Sequence, residues 1–117
     1  MRIRSDIFVA ALIRRTFAAG GFAAIVRKGA EEAGAVFIRQ RFRDGSETVY
    51  GPAPQSFSSN EDHGARRFEI RLSRVQAPAA EAVVAREARF DTDLWVVEVE
   101  LDDVGDLFEV VNTSQDF

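Results

Sequence analysis

The first apolar stripe of the chain has the period of an α-helix. Its side chains recur at spacings i, i+1, i+4 and i+5, which places them on one helix face: Phe8, Val9, Leu12, Ile13, Thr16 and Phe17. Ser5 is a candidate N-cap, and Asp6 in the first turn suits the positive end of the helix dipole. Because Gly20-Gly21 ends the stripe, we expect a helix that begins at Ser5 and stops before Gly20.

Three β-strands are predicted to follow this helix. The apolar run Phe22 to Lys28 ends at Gly29, and a second run spans Val36 to Arg43. Asp44-Gly45 then marks a tight hairpin into Glu47 to Tyr50, because Asp and Gly tolerate the positive φ of such turns. The natural result of this order is a meander of three consecutive strands.

The second half of the chain predicts a strand, a helix and a strand. Phe68, Ile70 and Leu72 alternate with charged residues, as in a strand with one buried face. Pro78 suits a helix N-terminus, and a stripe of small side chains follows: Ala80, Val83, Val84 and Ala88. Leu94 to Leu101 returns to strand, and residues 102–117 are expected to form an edge hairpin or a frayed tail.

These elements predict one α+β domain over residues 1–117, with an antiparallel sheet of about five strands and two helices packed on one face. The length of 117 residues and the 46% apolar composition suit one hydrophobic core. Cysteine is absent, which excludes disulfides and thiolate chemistry. The apolar run Ile7 to Ile13 is too short to cross a bilayer, so we expect no membrane association and a cytoplasmic location.

The charge is distributed unevenly along the chain. Residues 1–43 carry nine Lys or Arg against three acids, a net +6, whereas residues 76–117 carry two against eleven, a net −9. Such polarity is typical of a nucleic-acid surface, of head-to-tail association, or of two segments that neutralise each other in the fold. We favour the last of these interpretations.

Three local patterns together resemble a family of short bacterial proteins of unknown function, domain of unknown function 1491. They are the segments that begin at Ser5, at Gly34 and at Arg89, and the most specific is Phe90-Asp91-Thr92-Asp93-Leu94-Trp95. The resemblance runs from Met1 to about Glu100 and departs at Thr92, where the family is expected to have proline. It implies one compact α+β domain and transfers no activity.

Catalytic signals in the sequence are weak. His63 is the single histidine and has no second nitrogen or thiol ligand at metal spacing. Asp91 and Asp93 form a carboxylate pair that a metal-dependent hydrolase could use, although two Asp at a helix-to-strand junction more often bond free backbone amides. The glycines match no phosphate loop or dinucleotide motif, so no cofactor and no metal are implied.

A basic strand face supports an alternative, nucleic-acid binding. Period two places Phe37, Arg39, Arg41 and Arg43 on one face, mixing an aromatic ring with guanidinium groups. The acidic residues Glu98, Glu100 and Asp102 have the same spacing on another strand. We therefore favour ion pairing between two neighbouring strands over a nucleic-acid surface.

The leading functional hypothesis is a non-enzymatic protein-interaction or accessory module, which binds an unidentified protein or a second copy of itself. Its candidate contact residues lie in the loop after the third strand: Tyr50, Pro52, Pro54, Gln55 and Phe57. Proline holds φ at about −65°, so this segment should lose little entropy when a partner binds. In the competing interpretation, the two aromatic side chains turn inward and close the core.

Overall fold

The structure, a computed structural model, describes residues 3–54 and 66–111. Two helices and six strands are formed, in this order: α1 (Ser5–Ala18), β1 (Phe22–Arg27), β2 (Val36–Arg41), β3 (Glu47–Pro52), β4 (Arg67–Val75), α2 (Ala77–Phe90), β5 (Trp95–Glu100) and β6 (Glu109–Val110). The helices and the first five strands lie close to the positions that their periodicity predicts. No helix in these two ranges is long and apolar enough to cross a membrane.

The six strands form one mixed sheet in the order β1-β5-β2-β3-β4-β6. β5 is parallel to β2, β6 is parallel to β4, and the other pairs are antiparallel. The prediction of a purely antiparallel sheet of five strands is therefore wrong in strand number and in direction. The predicted meander is also wrong, because β5 separates β1 from β2. β5 takes this inner position because its apolar side chains are buried on both faces of the sheet.

The two helices pack on opposite faces of the sheet, which corrects the prediction that both share one face. α1 contacts β1 and β5, whereas α2 contacts β3 and β4. Alternate residues of β2 and β5 enter two separate cores, so that Ile38 and Val97 lie in the core under α1 while Phe37 and Val96 lie in the core under α2. Both faces of the central strands are apolar, and each needs its own cover.

The segment after β5 completes the core on the α1 face. Val104, Leu107 and Phe108 are buried there, and the Phe108 ring packs edge-on against Tyr50 at 5.1 Å and Phe68 at 5.2 Å. The chain then forms β6, which pairs in parallel with β4. The described part of the C-terminal segment is therefore a packed extension of the sheet and not an edge hairpin.

The β2–β3 hairpin turns at Asp44-Gly45, as predicted. Gly45 has φ +88°, a conformation that glycine adopts without a Cβ clash. The Asp44 carboxylate accepts hydrogen bonds from the Ser46 hydroxyl at 2.7 Å and the Ser46 amide at 2.9 Å. These two bonds lower the pKa of Asp44 below its ordinary value, and the bond from the Ser46 hydroxyl has the larger effect.

At the start of α1, Ser5 does not act as the predicted N-cap, because its hydroxyl donates to the Gly34 carbonyl.

Candidate interaction surface

The basic strand and the acidic strand are neighbours, as predicted. β2 and β5 lie side by side in parallel, with Arg39 opposite Glu98 and Arg41 opposite Glu100. The two charged segments are far apart in sequence, so this pairing joins the basic and acidic halves of the chain. Whether the basic and acidic segments neutralise each other depends on the ion pairs that the side chains of β2 and β5 form.

The three arginines of the basic face bind acids of this chain. Arg39 binds Glu47 of β3 through Nε–Oε1 at 2.8 Å and Nη2–Oε2 at 3.2 Å, and both side chains are largely buried. Arg41 pairs with Glu98 at 3.5 Å, and the exposed Arg43 lies 3.8 Å from Asp102. The partner of Arg39 is therefore the hairpin residue and not the predicted residue of β5.

Phe37, the aromatic member of this face, is buried in the core under α2 with 3% of its surface exposed. The Arg71 guanidinium lies over its ring at 5.2 Å. Stacking on a nucleic-acid base requires a free ring face. The arrangement therefore does not support stacking of a nucleic-acid base on Phe37. Nucleic-acid binding by the arginines of this face stays a prediction.

Asp91 and Asp93 form the turn between α2 and β5. The Asp91 carboxylate accepts a hydrogen bond from the Asp93 amide at 3.0 Å, and the Asp93 carbonyl accepts one from the Ala30 amide at 2.8 Å. Both residues are exposed. Among the residues that the structure describes, no group of three or more His, Asp or Glu is placed to hold a metal ion. The geometry gives this pair a turn-forming role, and the hydrolase alternative stays a prediction.

The candidate contact loop is described only in its first half. Tyr50 is 6% exposed, and its hydroxyl donates to Gln40 Oε1 at 2.7 Å. Burial raises the pKa of the Tyr50 phenol. Pro52 is half-buried, Pro54 is exposed, and Gln55, Phe57 and His63 lie outside the described residues. Tyr50 is thus a core residue and cannot serve as an exposed anchor, while the inward turn of Phe57 in the competing interpretation stays a prediction.

A surface that the sequence patterns did not indicate lies along β1, the first strand in the order of the sheet. We call it the β1 edge surface and define it by four large apolar side chains that are about half exposed: Phe17 at 51%, Phe22 at 47%, Ile25 at 45% and Val26 at 52%. The Phe17 and Phe22 rings contact edge-on at 5.6 Å and link α1 to the strand. Exposed apolar side chains grouped along one strand edge are typical of a contact site.

The backbone of β1 is open along its outer side within the described part of the chain. β1 is the terminal strand of the sheet, six residues long, and pairs only with β5 there. One bulge, between Ile25 and Arg27, interrupts that ladder. At the opposite side of the sheet, β6 has two residues within the described part of the chain and pairs with Arg67 and Phe68 of β4. The rest of β4 is also an outer strand there, and it carries the charged residues Glu69, Arg71 and Arg74. Charged side chains on an edge resist strand addition, whereas a long apolar edge permits it.

A third feature is a shallow cleft of about 680 Å³ at the carboxyl ends of the parallel strands β2 and β5. Its charged side chains are of both signs: Arg41, Arg43, Glu100, Asp102 and Asp103. Clefts at such strand ends commonly bind ligands. Here the mixed charges indicate no particular ligand, and the apolar β1 edge surface is the more distinctive feature.

The apolar run Phe22 to Lys28 predicts β1 as a strand and carries no signal of its place at the edge of the sheet. Its run of apolar residues is typical of a strand buried on both faces. Only the strand order shows that β1 lies at the edge, and strand order depends on pairing between residues far apart in the chain.

The fold and this surface define a small α+β protein built on a mixed sheet, with the apolar edge of β1 open to contact. A family model described as protein of unknown function (DUF1491) matches residues 3–109. The chain belongs to this family, as its sequence patterns suggested.

Solved structures of relatives have the same fold. The solution structure of protein Atu0922 from A. tumefaciens is 58% identical, covers 99% of this chain and 100% of its own, and superposes with a TM-score of 0.85. A crystal structure of a DUF1491 family protein from Caulobacter crescentus CB15 is 33% identical, with coverage of 95% and 99% and a TM-score of 0.77. An NMR structure of a DUF1491 family protein from the same organism is 35% identical, with coverage of 95% and 98% and a TM-score of 0.75. No curated protein matches the chain.

Proposed function

We propose that this protein is a non-enzymatic protein-interaction module that binds through the β1 edge surface. The observation that carries the proposal is the combination of an open six-residue edge strand with four half-exposed apolar side chains. Strand addition to such an edge is a common mode of protein recognition. Backbone hydrogen bonds hold the added strand, and the side chains on either face select its sequence.

β1 leaves two kinds of group in contact with water, unpaired backbone groups and apolar side chains, and both favour the addition of a strand. Unpaired amides and carbonyls on the outer side of an edge strand form new hydrogen bonds when a strand is added. Apolar surface contributes roughly 25 cal/mol per Å² when it is removed from water. Phe22 and Ile25 point to opposite faces of the sheet, because their partners Glu100 and Val97 do, so an added strand would gain contacts on both faces.

The expected location for such a module is the cytoplasm, and its expected role is accessory. The proposal gives Asp91 and Asp93 no catalytic role, because their hydrogen bonds form the turn between α2 and β5. The loop that begins at Pro52 stays a second candidate contact segment, with Pro54 exposed and Tyr50 assigned to the core.

Quantitative affinity capture from native bacterial lysate tests the proposal. The bait proteins are the wild type, Val26→Lys at the edge, and the matched control Ile70→Lys on β4, where Ile70 is 50% exposed. We expect Val26→Lys to lose the proteins that the wild type retains, because a charge on the strand edge opposes strand addition. Ile70→Lys should retain them. An identical set of bound proteins for all three baits would refute binding through β1.

A further inference from the structure

We infer that the β1 edge binds a second copy of this chain, with the two β1 strands antiparallel across a two-fold axis so that one sheet runs through both copies. This inference rests on the proposed function, since it uses the same edge. It adds the identity of the partner. Charges at the two ends of β1 favour a second copy of the chain in that place.

The two ends of the β1 edge carry opposite charges. Arg27 and Lys28 lie at its carboxyl end, and Glu100 of β5 lies beside Phe22 at its amino end. Arg27 donates to the Thr92 carbonyl at 2.9 Å, which leaves its charge uncompensated. Within the described residues, none of Arg27, Lys28 and Glu100 forms a salt bridge, whereas Arg39, Arg41 and Arg43 each pair with an acid.

A two-fold axis through β1 brings these opposite ends together. Antiparallel pairing reverses the second strand, so the basic end of one copy meets the acidic end of the other. In a pairing centred on Ala24, Arg27 at the level of Val96 meets the level of Glu100 in the second copy, so their Cα atoms lie about two strand spacings apart, roughly 10 Å. Both side chains point to the same face of the sheet, because residues two or four apart on β5 do, and extended Arg and Glu side chains can bridge that distance. By symmetry the contact occurs twice, and the same surface serves both copies.

Side-chain sizes along the regular part of β1 also suit self-pairing. Ala23 and Ile25 face the same side of the sheet, because their β5 partners Val99 and Val97 both enter the core under α1. A pairing centred on Ala24 sets the large Ile25 of one copy opposite the small Ala23 of the other. At the centre of the new ladder a large side chain thus meets a small one, and two bulky residues do not collide there.

Charge reversal in sedimentation equilibrium tests the inference on the full chain. We expect a concentration-dependent dimer of the wild type that weakens as salt is added. Arg27→Glu and Glu100→Lys, measured alone, should each weaken dimerisation by about tenfold, because each turns two symmetry-related attractions into repulsions. An equimolar mixture of the two variants should restore dimerisation, since each charge then meets its opposite. The double variant Arg27→Glu with Glu100→Lys should restore it within one chain.

Two exposed residues of α2 provide matched controls. Glu81→Lys and Arg86→Glu change the same charges on a helix that packs over β3 and β4, away from β1. They should leave the dimerisation constant unchanged. Rescue in the mixture also requires both variant chains to be folded, so it separates the charge effect from unfolding.

The inference is overturned by a wild type that stays monomeric to its solubility limit, or by a dimer whose constant is the same in every charge variant. It is also overturned when the mixture and the double variant fail to restore association. A monomeric protein that still captures other proteins through β1 refutes the second copy as partner and leaves the proposed function standing. A monomer whose capture is insensitive to Val26→Lys refutes both.

Discussion

The buried ion pair between Arg39 and Glu47 provides the sharpest test of how this fold is stabilised. Glu47 is 0% exposed, and the two short contacts to Arg39, 2.8 and 3.2 Å, satisfy both carboxylate oxygens. Replacing Arg39 with Met keeps most of the side-chain volume but leaves a buried carboxylate without its cation. Removing one partner of a buried pair typically costs about 3–5 kcal/mol, because the remaining charge stays out of water.

We therefore expect Arg39→Met to lower the free energy of unfolding by about 3 kcal/mol or more. The double variant Arg39→Met with Glu47→Leu should lose less than the single variant, because no uncompensated charge then remains. Arg41→Met is the matched control on the same strand. Its pair with Glu98, at 3.5 Å and partly exposed, should contribute less than about 1 kcal/mol.

Urea unfolding followed by the fluorescence of Trp95, the single tryptophan, measures these differences. Trp95 is 2% exposed in the folded chain, so its signal reports loss of the core under α1. Equal losses for Arg39→Met and Arg41→Met would refute the reasoning, since the two pairs differ mainly in burial. A double variant less stable than either single variant would refute it as well.

Three further predictions concern the Tyr50 hydroxyl, the Asp44 turn and the pair Asp91 and Asp93. Tyr50→Phe removes a buried hydrogen bond and should lower the free energy of unfolding by about 1 kcal/mol, and Tyr50→Ala by about 3–5 kcal/mol, in the same urea experiment. Ser46→Ala should raise the pKa of Asp44 towards its ordinary value in an NMR titration. Because the folded pKa is lowered, the stability that Asp44 adds is present above its unfolded pKa and is lost as the pH falls through the folded one. If the carboxylate pair were a metal site, calorimetry would detect magnesium, manganese or calcium uptake that Asp91→Asn with Asp93→Asn abolishes. We expect no uptake, and metal-dependent heat would contradict the turn-forming role.

Much of the local structure of this protein is determined by its sequence. The 3.6-residue stripe predicts α1, the alternation around Ile70 predicts β4, and Asp44-Gly45 predicts the hairpin. Each signal lies within one element and reflects backbone conformation or the burial of one face. The opposite charges of β2 and β5 also predicted correctly that these strands are neighbours.

The arrangement of the elements was decided only by the tertiary structure. β5 inserts between β1 and β2, the helices cover opposite faces, and Arg39 binds Glu47 in place of a β5 carboxylate. Strand order and helix placement depend on contacts between distant residues, which leave no periodic signal in either segment. The same reason hid the β1 edge surface. An apolar strand has the same local pattern at the centre of a sheet and at its edge, and only the missing neighbour makes it a candidate binding site.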